Sequence, residues 1–226
     1  MDRRDVTAGT LWAGLGMAWY RPAWAALNQS DATAGVRVAL ERGALAAVAL
    51  LGRNDGFLAN PQVRIPLPGF FKDAAKLMKA TGQGHKVDEL VTAMNRAAEA
   101  AVPQAKPLFL EAVKALSVDD ALKIVRGGST SVTDFFAGKT RAPLGDKFLP
   151  IVAQATEKLA LAQRWNALAG KAAGLGLVKP EDSNVQRYVT GRALDGLFLT
   201  IGEEEKKIRA DPVKTGSALL QKVFGP

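Results

Sequence analysis

The stretch from Ser183 to Ala210 constrains this chain more than any other. It reads as one helix of roughly 27 residues, roughly 40 Å long at about 1.5 Å per residue. Its first half, around Tyr188, Val189, Leu194, Leu197 and Phe198, is apolar on most faces. Its second half, Glu203-Glu-Glu-Lys-Lys207, is nearly all charge. An apolar half of that length is expected to serve as a core axis with other helices around it.

The remaining residues supply those helices. Ser30 or Asp31 can cap a helix over Ala34 to Leu51, which ends at Gly52-Arg-Asn-Asp-Gly56. A short helix is expected over Gly69 to Thr81. Another, over His85 to Val102, carries the stripe Val87, Leu90, Val91, Met94, Ala97, Ala98 and Ala101. Pro103 stops it. Lys106 to Leu116 follows, and Ser117 with Asp119 and Asp120 opens a helix that Gly127-Gly128 closes. Ser129 to Asp134 opens the next, where free N–H groups could hold an anion, although ordinary capping accounts for the same residues. Pro143 to Ala162 reads as a separate helix, Trp165 to Leu177 as less regular. A last short helix holds Leu219, Leu220, Val223 and Phe224. No alternating strand pattern appears. The expected fold is all-α, a single bundle of about eight to ten helices over residues 26–226.

One stretch resists helix. Phe57 to Pro68 contains Pro61, Pro66 and Pro68, yet also Phe57, Leu58, Val63, Ile65 and Leu67. Proline forbids the helix, and the apolar residues want the core. Such a loop lies flat on the bundle, or acts as a lid built from Phe57, Pro61, Ile65, Pro66 and Pro68.

Residues 1–25 read as a signal peptide rather than as fold. Arg3 and Arg4 precede an uncharged run from Val6 to Tyr20, and Ala23-Trp24-Ala25 is a small-x-small cleavage site. That run is too short to span a bilayer, which takes about 20 apolar residues. The arginine pair and modest hydrophobicity suit twin-arginine export; the general secretory route fits the same pattern. A periplasmic or secreted location follows, and no transmembrane span is expected in the mature chain.

The chain carries a formal charge of +8, or +7 after residue 25, because the first 25 residues hold three Arg and two Asp. Such a balance favours anionic partners, here an envelope component such as a lipid head group or a glycan. The basic residues are scattered and no nucleic-acid motif is present, so nucleic acid is not expected. With no cysteine, disulfides and thiolate metal sites are excluded. His85 is the single histidine and reads as a surface residue at a helix start. Histidine-based triads and histidine metal centres therefore fail, and neither a phosphate-cradling loop nor a serine-nucleophile motif occurs. No catalytic residue, metal or cofactor is expected.

Two polar clusters interrupt the apolar helices. Asn95, Arg96 and Glu99 can share a side, as can Arg192 and Asp195. Positions 188, 192, 195 and 199 follow one face of the long helix; 194, 197, 201, 204 and 208 follow another, which ties Glu204 to the apolar side. A charge beside a buried stripe must be paired or it costs several kcal/mol, on the order of 3–5. Arg96 is therefore expected to meet an acid of the long helix in a register-fixing network. A polar-lined ligand site from Asn95, Arg96, Glu99, Arg192, Asp195 and Glu204 is the functional alternative.

Three stretches taken together resemble a bacterial family named domain of unknown function 4197. They are Asp55-Gly-Phe-Leu-Ala-Asn-Pro with Ile65-Pro-Leu-Pro68; Met94-Asn-Arg-Ala-Ala-Glu-Ala-Ala-Val-Pro103 with Ala105-Lys-Pro107; and Tyr188-Val-Thr-x-x-Ala-Leu-Asp-Gly-Leu-Phe198 running into Glu203-Glu-Glu-Lys-Lys-Ile-Arg209. Gly127-Gly-x-Thr-x-x-Thr-Asp134-Phe135 also fits. The similarity covers roughly Leu40 to Gly225. It implies an exported helical protein with no established activity, and it carries over no site residues.

The leading expectation is thus a non-enzymatic exported helical domain that binds a partner or an anionic envelope component. The runner-up is a carrier of a small apolar or amphipathic ligand between helices beneath the Phe57–Pro68 loop. A third is an enzyme using Arg96, Glu99, Arg192 and Asp195, which requires those side chains to converge.

Overall fold

The computed structural model describes residues 29–176, 179, 182 and 184–225. Nine α-helices take up most of them, and no strand occurs among the described residues. They are α1 (Gln29–Leu51), α2 (Lys72–Ala80), α3 (Gly84–Ala101), α4 (Ala105–Lys114), α5 (Val118–Arg126), α6 (Ser131–Thr156), α7 (Ala160–Gly174), α8 (Val185–Ala210) and α9 (Ala218–Phe224). The fold is all-α, as the sequence leads one to expect. The expected signal peptide and Ser183 lie outside the described residues.

Helix α8 is the axis. Helices α6, α1 and α3 pack around it, and its buried face runs through Tyr188, Val189, Ala193, Leu194, Leu197, Phe198 and Ile201. Asn184 starts it, its side chain accepting from the Arg187 N–H at 2.8 Å. Leu40 and Leu51 of α1, Leu90 and Met94 of α3, and Phe136, Leu144 and Phe148 of α6 are fully buried beside it. The Phe109 ring of α4 lies 4.8 Å from Phe136 and 6.3 Å from Phe198. Each side chain of that size contributes about 1.5–3 kcal/mol when taken fully from water.

Helix α6 corrects the expected boundary at Pro143: it runs unbroken through Pro143 and Pro150. Each proline forfeits a backbone bond and costs about 3 kcal/mol in a helix interior. Both prolines face solvent, where water can take the freed carbonyls. On the opposite side Val132, Phe136, Thr140, Leu144, Phe148, Val152 and Thr156 recur at every fourth position, all buried. That stripe outweighs the two breaks. The real interruption comes later, between Thr156 and Ala160.

The Trp165 region is likewise more regular than expected. Leu161, Ala162, Trp165 and Ala169 form the buried stripe of α7. The Trp165 ring centroid sits 5.6 Å from that of Phe71 and 5.3 Å from that of Tyr188. Burial of this aromatic group holds an Ala/Gly-rich segment in helix. The capping expected at the start of α5 forms, and as a reciprocal box: Ser117 accepts from the Asp120 N–H and Asp120 accepts in return from the Ser117 N–H.

Candidate binding cleft on the long helix

The loop from Gly52 to Pro68 is neither helix nor strand, and its inward side chains are core. Val63, Ile65 and Leu67 are buried and alternate with exposed Arg64 and Pro66, while Phe57 is wholly enclosed. Backbone in that position needs partners for its N–H and C=O groups. Helix α3 provides them. The Glu99 carboxylate accepts from Phe57 N–H and Leu58 N–H, both at 3.0 Å. Asn95 accepts from Ile65 N–H at 2.8 Å and donates to the Ile65 carbonyl at 3.0 Å. Arg96 then joins Glu99 at 2.7 Å to Asp55 at 2.8 Å. The bond from Glu99, with Asp55 assisting, raises the Arg96 pKa above its ordinary value.

Asn95, Arg96 and Glu99 therefore clasp the loop. The acid expected on the long helix is not the partner of Arg96; Asp55 is. The separation lies in chain direction. Asp55, in the turn after α1, is itself in the left-handed region, φ 64°, and its carboxylate meets Arg96 of α3. The opposite margin of the loop is held from α8, where the Tyr188 hydroxyl donates to the Pro66 carbonyl at 2.9 Å. Gly196 lets the loop approach closely, since a Cβ there would stand 2.9 Å from the Phe57 ring and 3.1 Å from Val63. Of the residues expected to form a lid, Phe57, Ile65 and Pro68 are buried, Pro61 is exposed, and Pro66 borders open space. The loop is a wall fastened at several points.

Beyond that wall lies the other expected cluster. A cleft of about 420 Å³ is lined by Arg141, Lys179, Asp182, Arg187, Tyr188, Gly191, Arg192 and Asp195. It continues through Tyr188, Arg192 and Asp195 into a groove of about 300 Å³ against Gln62 to Pro66, with Gly196 and Leu199 on its floor. The face 188, 192, 195 and 199 read from the sequence is thus the lining face. Arg141 of α6 donates to the Asp195 carboxylate, and Arg192 stands 3.7 Å from its other oxygen. The three side chains are between 45% and 53% exposed. Arg192 also covers the Tyr188 ring at 5.3 Å, and Arg141 the Phe198 ring at 5.7 Å. Burial pushes the Tyr188 phenol above its usual range, against the opposing pull of Arg192.

Glu204 does not belong to either cluster. It forms an exposed-side pair with Lys207 at 2.7 Å. The buried acid is its neighbour Glu205, 3% exposed. Glu205 accepts from the Val132 and Thr133 N–H groups, each at 3.0 Å, and from the Thr133 hydroxyl at 3.1 Å. Arg209 binds it at 2.9 Å and reaches the Ile124 carbonyl and the Ser131 hydroxyl. The ordinary capping expected at the start of α6 does not form, since the Thr130 side chain makes no cap; this carboxylate takes the free N–H groups instead. The face from Leu194 runs through Phe198 and Ile201 to 205, one position beyond the series read from the sequence.

Arg96 and Arg192 share no partner among the described residues. Glu99 is sealed into backbone bonds, and Asp195 sits between two guanidinium groups. The convergence an acid–base enzyme would need from these four residues is not present. Among the described residues no group of three or more His, Asp or Glu side chains could hold a metal ion. His85 lies exposed in the first turn of α3. Arg64, Arg141, Lys179 and Arg187 were not singled out by the sequence; the four come from three separate parts of the chain, and only the i, i+5 pair of Arg187 and Arg192 is a local signal.

The family model described as protein of unknown function (DUF4197) matches residues 26–225. The chain belongs to this family. The match takes in both walls of the cleft, the loop and α8. No curated protein and no solved structure matches the chain. No described helix is long and apolar enough to cross a membrane.

Proposed function

We propose that this family member is an exported, non-enzymatic binding protein, and that its cleft on α8 takes an anionic component of the cell envelope. The observation that carries this reading is the cleft itself: Arg141, Lys179, Arg187 and Arg192 gather around one concavity opposed, among the described residues, by Asp182 and Asp195. The overall charge of +8 points the same way. Half-exposed guanidinium groups already turned towards a carboxylate need little rearrangement to accept a second anion, and the fork of Arg suits phosphate or carboxylate oxygens. Export with cleavage after Ala25 is part of the proposal. It is supported by the basic start and apolar run of residues 3–20, and by family similarity that begins at residue 26.

The test is co-sedimentation with anionic liposomes and with purified peptidoglycan at about 50 and about 300 mM salt, alongside R187Q/R192Q. Retention that weakens with salt and falls in the double variant supports the cleft. Absence of retention at both salts, or identical retention by the variant, sinks it. Cell fractionation with N-terminal sequencing decides the export part: an intact Met1 in the cytoplasm would end it.

A further inference from the structure

A third concavity lies across the same loop, between α2 and α3. It holds about 360 Å³, and its floor is carbon: Leu67 from the loop, Ala75 from α2, Val87 and Val91 from α3. Its rim is mainly cationic: Arg64, Lys72, Lys76 and Lys79 line it together with Asp88. Lys76 and Lys79 have acidic neighbours at 3.4 Å, Asp73 and Asp88, but all four side chains are more than half exposed. Pairs of that kind contribute at most about 1 kcal/mol and yield readily to another anion. Arg64 and Lys72 form no ion pair among the described residues. Helix α2 covers the groove loosely, with Ala75 its buried residue and Leu77 67% exposed.

We infer that this groove seats the alkyl chain of a single-chain anionic amphiphile, with its head group held by Arg64 and Lys72. An apolar trough with a predominantly cationic rim is complementary to that chemistry and to neither half of it alone. A fully polar anion would leave the carbon floor wet, and a neutral alkane would leave the rim unanswered. The volume lies within the range of small-molecule sites, about 300–1,000 Å³. Arg64 and Pro66 also border the α8 groove, so the loop is the ridge between two basins. The amphiphile basin is otherwise made of residues that the α8 cleft does not use, and it can fail or hold independently of the function proposed above.

Isothermal titration of the purified protein with dodecyl phosphate, kept below its micelle concentration, tests this. Inorganic phosphate and dodecanol serve as the two half-ligands. Saturable binding is expected, at least tenfold tighter than either half-ligand. V91W fills the trough from its open side and should abolish it; R64Q/K72Q should weaken it about fivefold, the scale of one exposed charge pair or slightly more. Thermal melts establish that each variant is folded, and should V91W fail to fold, V91N provides the same test by making the floor polar. R187Q should leave dodecyl phosphate binding unchanged while impairing retention on anionic envelope material. Equal affinity for inorganic phosphate, undiminished binding in folded V91W or V91N, or binding to vesicles with none to monomeric amphiphile would overturn the inference.

Discussion

The two ends of α8 carry the same chemical pair at nearly the same spacing, and the structure treats them in opposite ways. Arg192 and Asp195 stand three residues apart and about half exposed. Glu205 and Arg209 stand four apart, 2% and 18% exposed at the side chain. The difference is not the ion pair but what surrounds it. Glu205 lies against the first turn of α6, whose free N–H groups have no helical partner and whose dipole favours a negative charge. Arg209 completes the arrangement from the Ile124 carbonyl and lies 4.8 Å from the centroid of the Phe224 ring. The Val132 and Thr133 N–H groups, the Thr133 hydroxyl and the Arg209 Nε and Nη2 are all engaged there. At Asp195 no backbone donor takes part, and its two guanidinium groups keep a face towards solvent. An Arg–acid pair on a helix is therefore a joint where backbone closes over it, and stays open to solvent where it does not.

Removing the buried acid should have the largest effect. E205A strips the α6 start of its acceptor and leaves Arg209 nearly buried without a counter-charge. A loss of about 3–5 kcal/mol is expected, or a drop of about 10 °C in the thermal midpoint for a domain of this size. A midpoint within about 2 °C of the parent would show that the joint is not one, and the comparison would collapse. The clasp on the loop comes next. E99A leaves the Phe57 and Leu58 N–H groups without acceptors, and about 3 kcal/mol is expected in urea unfolding. Since the loop is one wall of the cleft, anion affinity should fall with it, which E205A need not cause.

A smaller effect is expected at the close approach. G196A places a methyl against Phe57 and Val63, costing about 1–3 kcal/mol of overpacking, offset by about 1 kcal/mol of helix propensity. A net destabilisation of about 1 kcal/mol by calorimetry is the outcome that keeps the wall where it is drawn. Y188F removes the hydroxyl that holds Pro66, at about 1 kcal/mol. It also bears on pH. Burial raises the folded Tyr188 pKa, so the folded state retains the phenolic proton longer than the unfolded chain. Its contribution is full below the unfolded value of about 10 and is lost as pH rises through the folded one. Urea midpoints measured from pH 8 to 11 should therefore decline less steeply in Y188F. The smallest stability effect is at Asp195. D195N should shift stability by less than about 1 kcal/mol, yet raise affinity for an anion about threefold by freeing Arg141 and Arg192. A loss of affinity instead would make Asp195 an ordering residue and move the open end of α8 closer to the sealed one.

Helices with a clean stripe were readable from sequence to within a residue or two: α3 from Val87 to Ala101, α5 from its Ser117 box, α8 from its apolar first half. The errors have a common origin. Pro143 reads as the start of a separate helix because local rules see the lost N–H but not the seven-membered buried stripe that offsets it across α6. The spacing ties Glu204 rather than Glu205 to the apolar side, but a 26-residue helix drifts in phase, and one position of drift exchanges an exposed lysine partner for the start of another helix. The sequence marks Arg96 as needing an acid, but no periodicity points to Asp55, 41 residues away across an irregular loop. The cleft was half legible. The face of Tyr188, Arg192, Asp195 and Leu199 belongs to one helix and shows in its spacing, whereas Arg141 and Arg64 reach it only through tertiary packing.

The alternation in Val63 to Leu67 separates two kinds of position within five residues. Val63, Ile65 and Leu67 are committed to the interior, while Arg64 and Pro66 face the two basins. Side chains at 64 and 66 can therefore be exchanged without disturbing what holds the segment down. If the two basins bind as proposed, a lineage could retune what they take by altering these two codons while the bundle stayed the same, and a protein engineer could do likewise with a library of about four hundred variants, the product of about twenty residue types at each of two tolerant surface sites.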